Sequence, residues 1–211
     1  MTEDVLLIEE HHQKAATVII DEIIGRLLPK FIVAVSGESG SGKSELSHLI
    51  AKGLCGESII AKVIHTDNFY RILPQERRRW REENGVEQVV GPDEYDWNKL
   101  NRIVSDFISG SKSVMPCVDL ITQRVDMLTT EFSEIDLLVL DGLYAVNTPK
   151  VNLSVFIELT YHETKKAQSV RGKESTDEFR YRVLEAEHKA VKKLRSKADL
   201  LISKDYEVVI P

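Results

Sequence analysis

The sequence predicts an α/β fold in which a parallel β-sheet is flanked by helices on both faces. Short apolar runs of the length of buried strands alternate with segments of helical periodicity along the chain. The first run, 31–35, is followed by a complete G-x-x-x-x-G-K-S motif at 37–44 and then by a helical segment. Strands that alternate with helices in this way pair in parallel. The length of 211 residues suits one domain, 1–211.

The N-terminal third contains two predicted helices and two predicted strands. Apolar residues recur every three or four positions over 10–28, which predicts an amphipathic helix that ends near Pro29 and forms an N-terminal extension, 1–30. The strand before the glycine-rich motif covers 31–36 and the helix after it covers 43–54. A second strand covers the run Ile59–His65.

The rest of the chain alternates in the same way. The charged segment around Arg77–Arg81 predicts a short helix, and residues 113–130 predict a β-hairpin insertion. The other predicted elements are helices at 97–109 and 163–197 and buried strands at 135–141, 151–159 and 199–202. Ligands of parallel sheets lie beyond the carboxyl ends of the strands, so residues that follow the strands are the candidates for a functional site.

The glycine-rich motif predicts a binding loop for nucleotide phosphates. Its residues are Gly37, Glu38, Ser39, Gly40, Ser41, Gly42, Lys43 and Ser44. Glycines let backbone N–H groups turn inward around a triphosphate, and the following helix adds its positive N-terminal end. Lys43 is expected to reach the β- and γ-phosphates and the Ser44 hydroxyl to bind Mg²⁺. The pattern indicates ATP or GTP as ligand; the alternative is a structural Gly/Ser turn.

Two acidic residues follow apolar strands. Asp141 closes the run 137–140 and is expected to help hold Mg²⁺, with a plain strand-to-turn aspartate as the alternative. Asp67 follows the second strand and is the candidate to orient an acceptor hydroxyl and accept its proton. The alternative for Asp67 is a cap or Asx turn.

Phosphoryl transfer also needs positive charge around the transferred group. Arg171 and Lys173 lie on a predicted lid, 161–182, and are the first candidates, ahead of Arg180 and Arg182. The Arg77–Arg81 cluster is open to two interpretations, contact with an anionic substrate or a solvated helix face. The histidines show no spacing typical of a metal site or a catalytic triad, and His11 and His12 are expected at the surface.

Bulk composition limits the partners. The net charge of −6 argues against a nucleic-acid binder, and no apolar stretch is long enough to cross a membrane. The acidic N-terminus lacks the basic start of a signal peptide, and the two cysteines have no metal-ligand spacing. We therefore expect a cytoplasmic protein that acts on a small-molecule substrate.

Several segments are similar to the uridine kinase and phosphoribulokinase family of P-loop kinases. They are the loop at 37–44, the stretch Thr66–Arg71, the strand end Leu140–Gly142, the lid motif Arg171–Lys173 and the closing strand Ala198–Ile202. The resemblance implies a P-loop NTPase fold with a Rossmann-like sheet, a helical lid, and Mg²⁺-ATP as the phosphoryl donor. It also implies a homo-oligomer as a candidate assembly.

The resemblance assigns roles on the acceptor side. Asp67 is implied as the residue that orients the acceptor hydroxyl, Tyr70 as a neighbour of the acceptor, and Arg171 as a phosphate contact in the closed lid. The family's ribose-binding aspartate is missing, because Val89–Gly91 occupies that stretch, and Asp96 or the nearby Asp93 is the candidate replacement. Where the family has arginine the lid has Lys173, a second candidate substrate contact that lacks the bidentate fork.

These features predict an ATP-dependent kinase for a hydroxyl of a small metabolite, with a pyrimidine nucleoside as the first candidate acceptor. The alternatives are kinases of the sugar phosphate, pantothenate or glycerate type, a nucleotide-binding regulatory ATPase, and a degenerate relative with a structural role. A GTPase is disfavoured because the nearest string to its guanine-reading motif, Asn98–Asn101, lacks the final aspartate.

Overall fold

The computed structural model describes residues 6–164 and 177–211. Its strands are β1 (Phe31–Gly37), β2 (Ala61–His65), β3 (Lys112–Val118), β4 (Val125–Glu131), β5 (Leu137–Asp141), β6 (Leu153–Ile157), β7 (Leu200–Ile202) and β8 (Val208–Val209). Its helices are α1 (Glu10–Arg26), α2 (Lys43–Gly56), α3 (Pro74–Asn84), α4 (Val86–Val89), α5 (Trp97–Ile108) and α6 (Glu178–Val191). Short 3₁₀ turns cover Thr66–Phe69, Pro92–Glu94, Ala145–Asn147 and Lys192–Lys197.

The main sheet confirms the predicted parallel architecture. Its strand order is β2-β5-β1-β6-β7-β8, and every pair except β7–β8 is parallel. Strand β1 lies at the centre, where all seven of its residues are buried. Its register places Val35 beside Asp141, which is in turn beside His65 of β2. The carboxyl ends of β1, β2 and β5 therefore meet at one edge of the sheet.

Each face of the sheet has its own apolar core, because side chains alternate along the strands. Val33 and Val35 pack with α1 and α2, whereas Ile32 and Ala34 pack with α5 and the hairpin. Fully burying one aliphatic side chain stabilises the fold by roughly 1.5–3 kcal/mol. The two cores fix β1 on both faces, so the loop that leaves its carboxyl end starts from a rigid strand.

The predicted elements are confirmed with shifts at their ends. The helix predicted to 28 ends at Arg26, and the hairpin predicted over 113–130 is formed by β3 and β4. The strand predicted from Ile59 begins at Ala61, because the backbone of Ile60 instead contacts Asp136: its N–H donates to Asp136 Oδ2 at 2.9 Å. The antiparallel strand β8 was missed, since two residues are too short to show a period.

Within the described residues, the helix predicted over 163–197 starts too early, and its last part is 3₁₀ rather than α-helical. Residues 161–163 form a turn, and α6 begins after Asp177, whose side chain accepts a hydrogen bond from Arg180 N. After Val191 the chain continues as a 3₁₀ turn to Lys197. The predicted lid positions Arg171 and Lys173 lie outside the described residues. No helix within the described ranges has the length and apolar content needed to cross a membrane.

Candidate active site

The glycine-rich loop joins the buried strand β1 to the N-terminus of α2. Gly40 and Gly42 adopt positive φ angles of 79° and 93°, a region that side chains with a Cβ rarely enter. The amino group of Lys43 donates to the carbonyl of Glu38 at 2.8 Å, and Ser41 N donates to the same oxygen at 3.2 Å. The loop is thus a compact ring with Lys43 folded across it, a geometry suited to a phosphate ligand.

Residues from both ends of the described chain support this loop. The Tyr206 hydroxyl donates to Ser41 O at 3.0 Å, and the ring of Tyr206 contacts His12 of α1. A Cβ on Gly42 would lie 2.2 Å from the Tyr206 hydroxyl and 2.7 Å from His12 Nε2. The expected surface position of His12 is wrong, because only 6% of the residue is exposed. His12 packs against the loop, a contact that no sequence pattern predicts.

Asp141 lies at the carboxyl end of β5, next to the loop. Its Oδ2 is 2.8 Å from His65 Nδ1, and only 3% of the residue is exposed. Burial would raise the pKa of the Asp141 carboxyl, but the hydrogen bond and charge of His65, the charge of Lys43 and a hydrogen bond from Ser44 outweigh it and lower the pKa. Asp141 is therefore an anion that contacts the Ser44 hydroxyl, and its predicted role in holding Mg²⁺ stays a prediction.

Asp67 lies one strand further along the same edge, in the 3₁₀ turn after β2. The Tyr95 hydroxyl donates to Asp67 Oδ1 at 2.8 Å. Burial raises the pKa of Tyr95, and the charge of Asp67 adds to the effect, so the hydroxyl stays protonated and acts as a donor. No capping hydrogen bond by Asp67 occurs among the described residues, so a tertiary contact, not a local cap, sets its orientation.

A pocket of about 220 Å³ opens beside Asp67. It is bounded by residues 67–74, by α3 and α5, and by the β-hairpin. Tyr70 and Asp96, the predicted substrate contacts, both line it. Tyr70 stacks on Tyr95 with ring centroids 4.2 Å apart. The Asp96 side chain accepts from Lys99 N at 3.0 Å and so caps α5. Asp96 therefore has a structural role in addition to its place in the pocket wall.

The second residue of the loop, Glu38, faces away from the ring. Its carboxylate accepts from Tyr161 N at 2.8 Å and lies 2.6 Å from His188 Nδ1 of α6. Ser39 makes two further links, since Thr164 Oγ1 donates to its carbonyl at 3.0 Å and Arg180 Nη2 to its hydroxyl at 3.2 Å. Thr164 and Arg180, on either side of residues 165–176, are thus both hydrogen-bonded to the loop.

Sequence reasoning missed the partners of the two key carboxylates. His65 and Tyr95 bind Asp141 and Asp67, yet neither carries a motif signal. The contact of His65 with Asp141 could have been inferred from the register of the parallel strands. The last residues of the neighbouring strands β2 and β5 lie side by side. The partnership of Tyr95 depends on a turn 28 residues away in sequence, which periodicity does not show.

Gly142 is required for the contact between the two strand ends. A Cβ built on it would lie 1.8 Å from the Thr66 hydroxyl and 3.6 Å from Asp67 Oδ1. We expect Gly142→Ala to lower the free energy of unfolding by about 1–3 kcal/mol, the usual cost of overpacking. Gly25→Ala, where no atom lies within 4 Å of the added Cβ, is the matched control. Equal midpoints of chemical unfolding for the two variants would contradict this contact.

The Phosphoribulokinase / Uridine kinase family matches residues 32–202. A uridine kinase of Mycoplasma genitalium is 28% identical over 136 residues, which span 63% of this chain and 62% of that relative. Thus the matched part covers less than two thirds of the relative's length.

Two solved structures share the fold. A possible uridine kinase from Bacillus stearothermophilus superposes with a TM-score of 0.67 at 14% identity, over 90% of this chain and 97% of that one. The D-glycerate 3-kinase from Cryptococcus neoformans gives a TM-score of 0.63 at 11% identity, over 96% and 98%. The family match includes the phosphate-binding loop, Asp67 and Asp141. The chain belongs to the Phosphoribulokinase / Uridine kinase family.

Proposed function

We propose that this protein is an ATP-dependent kinase that transfers the γ-phosphoryl group to a hydroxyl of a small metabolite. The observation that carries the proposal is the meeting of three groups at one sheet edge. These are the phosphate-binding loop with Lys43, the buried Asp141 beside Ser44, and Asp67 in the lining of a pocket. The first two suit a nucleotide donor and the third suits an acceptor.

The donor side has the ligand chemistry that Mg²⁺ prefers. Ser44 and Asp141 offer a hydroxyl and an ionised carboxylate in direct contact. Within the described residues no group of three or more His, Cys, Asp or Glu side chains forms a metal cage. One hydroxyl and one carboxylate fit Mg²⁺, which keeps several waters and takes its other ligands from phosphates. When bound, Mg²⁺ would neutralise charge on the β- and γ-phosphates.

Residues of the protein itself bind the phosphates and accept the proton. Lys43 and the loop amides hold the β- and γ-phosphates, and Lys43 exchanges its contact with Glu38 O for a phosphate oxygen. Asp67, oriented by Tyr95, takes the proton of the acceptor hydroxyl as the new O–P bond forms and the bond from the γ-phosphorus to the β,γ-bridging oxygen breaks, with ADP as the leaving group. Arg180 is close to the loop, and Arg171 and Lys173 are proposed to contact the phosphates from the lid.

Asp141→Asn tests the metal role. We expect the variant to need at least tenfold more Mg²⁺ for half-maximal ADP formation, because an amide oxygen binds a hard cation less well than a carboxylate. Asp136→Asn is the matched control, since Asp136 lies at the amino end of β5 and contacts Ile60 N. An unchanged Mg²⁺ titration in Asp141→Asn would count against the assignment.

The acceptor has two candidate classes. Pyrimidine nucleosides are favoured by the name of the Mycoplasma relative. Against them, the stretch Val89–Gly91 offers no carboxylate for a ribose, Glu94 is bound to Arg81, and Asp96 caps α5. Anionic metabolites are favoured by the charges of the pocket, which is lined by three cationic side chains and two carboxylates.

The proposed reaction predicts ADP formation that depends on an acceptor. We would measure ADP release with Mg²⁺-ATP alone and with uridine, cytidine, other nucleosides, pentose phosphates, pantothenate and glycerate. At least one compound should stimulate ADP release well above the rate in water. Equal slow hydrolysis with every compound would favour the regulatory ATPase, and binding of ATP without turnover would favour a degenerate relative.

A further inference from the structure

Helix α3 carries four arginines, and three of them are paired with carboxylates. The pairs are Arg78 with Glu82 and Asp177, Arg79 with Glu83, and Arg81 with Glu94. The Arg81–Glu94 pair is almost completely buried and bidentate, with N–O distances of 2.7 and 3.0 Å. Arg77 is different, because no carboxylate among the residues that the structure describes lies within ion-pair distance of it.

The Arg77 guanidinium is held in place without such a partner. It lies 3.6 Å from the centroid of the Tyr70 ring, and its Nη2 donates a long hydrogen bond of 3.4 Å to Ile72 O. Its Nε is buried and makes no hydrogen bond within the described ranges. A buried cationic donor without an acceptor is costly, and stacking on an aromatic face leaves the donors on its edge available. An anion in the pocket that Arg77 lines would give the guanidinium a counter-ion.

Arg77 and Asp67 line the same pocket. Lys99 and Arg71 also line it, so the pocket has three cations against two carboxylates, Asp67 and Asp96. Both carboxylates already serve other groups, since Asp67 accepts from Tyr95 and Asp96 caps α5. The hairpin closes the opposite side with the apolar residues Pro116, Val118 and Val125. An acceptor that fits has a hydroxyl for Asp67 and a negative group for Arg77.

We propose that the acceptor is an anionic metabolite whose carboxylate or phosphate pairs with Arg77 while its hydroxyl faces Asp67. The inference rests on the proposed kinase function and narrows its substrate class. Arg77 is then a specificity-determining residue, and its guanidinium offsets the repulsion that an anion would meet from Asp67 and Asp96. A neutral nucleoside would leave the Arg77 guanidinium without a counter-ion among the described residues.

The test uses acceptors that differ mainly in charge. The pairs are D-glycerate with glycerol, pantothenate with pantothenyl alcohol, and ribulose 5-phosphate with ribulose, and uridine is the neutral reference. We expect the best substrate to be anionic and its kcat/KM to exceed that of its neutral counterpart by about 10- to 100-fold, the usual effect of a charge-assisted contact. Comparison of the glycerate and pantothenate pairs with the ribulose pair distinguishes a carboxylate from a phosphate.

Arg77→Gln should raise the KM for that anionic acceptor at least tenfold and leave the KM for ATP unchanged. Arg77→Lys keeps the charge without the planar fork, so its KM for the anionic acceptor should lie between the values for Arg77→Gln and the wild type. The matched control is Arg79→Gln on the same helix, because the Arg79 side chain is 82% exposed and pairs with Glu83. Thermal unfolding checks that each variant is folded, and Arg77→Lys gives the readout if Arg77→Gln is not.

Two results overturn the inference. One is a preference for uridine or another neutral acceptor, and the other is an unchanged acceptor KM in folded Arg77→Gln or Arg77→Lys. Both leave the kinase function in place. Failure to phosphorylate any compound while ATP still binds would instead contradict the proposed function, and the inference with it.

Discussion

Replacing Lys43 by alanine is expected to lower kcat by about 10²–10³-fold or more, with the fold unchanged. Removal of a single group that stabilises transition-state charge has this effect, and three orders of magnitude correspond to about 4 kcal/mol of activation free energy. In the structure the amino group of Lys43 donates to Glu38 O at 2.8 Å, and its charge adds to the field around Asp141. Steady-state ADP formation with a saturating acceptor measures the effect.

Lys52→Ala is the matched control for Lys43→Ala. Lys52 lies on the same helix, α2, and is exposed. Circular dichroism of both variants should match the wild type, because neither side chain belongs to an apolar core. A kcat of Lys43→Ala within twofold of the wild-type value would contradict the assignment of the loop as a phosphate-binding site.

Asp67→Asn is expected to lower kcat by about 10²–10⁴-fold while ATP affinity changes little. The magnitude is that of a positioned general base, and the amide is neutral and cannot accept the proton of the acceptor hydroxyl. The variant keeps an oxygen for the Tyr95 hydroxyl, so the bond of 2.8 Å and the packing around it can persist. Single-turnover rates give the chemical step, and titration with ATP gives the affinity.

Asp21→Asn, an exposed position on α1, is the control for Asp67→Asn. The result distinguishes a role of Asp67 on the acceptor side of the site from a role on the donor side. A collapse of ATP affinity in Asp67→Asn with an intact fold would make Asp67 a donor-side residue. An unchanged kcat would show that another group takes the proton.

Much of the donor site could be predicted because its information is local in sequence. The loop 37–44 carries its own glycines, lysine and serine, and the continuous apolar run 31–35 before it forms most of a buried strand. Asp141 was found for the same reason, as the acid that closes an apolar strand. Parallel pairing of β1 with β5 then brings Asp141 to the loop without further sequence signals.

The acceptor side could not be predicted to the same depth, because it is assembled from distant segments. Arg77 belongs to a run of charged residues that resembles a solvated helix face, and three of its four arginines do make ordinary ion pairs. The position of Arg77 over Tyr70 and in the wall of the pocket depends on how α3 packs against residues 67–74. Hydrophobic periodicity does not specify that packing, since α3 has few apolar residues.

The supports of the phosphate-binding loop were also hidden from sequence reasoning. Tyr206 and His12 contact Gly42 from opposite ends of the chain, and both positions lie outside the part that the family matches. His188 binds Glu38 across 150 residues of sequence. Such contacts follow from the order of strands in the sheet and from helix packing, which local patterns do not determine.

The most direct test of the account follows the γ-phosphoryl group of ATP to its destination. ATP labelled with ¹⁸O at the γ-phosphate would be incubated with the protein, Mg²⁺ and the stimulating acceptor, and the products weighed by mass spectrometry. We expect the labelled phosphoryl group to be recovered on the acceptor and Lys43→Ala to abolish this product. Recovery of the label only in inorganic phosphate, at the same rate with and without acceptor, would contradict it.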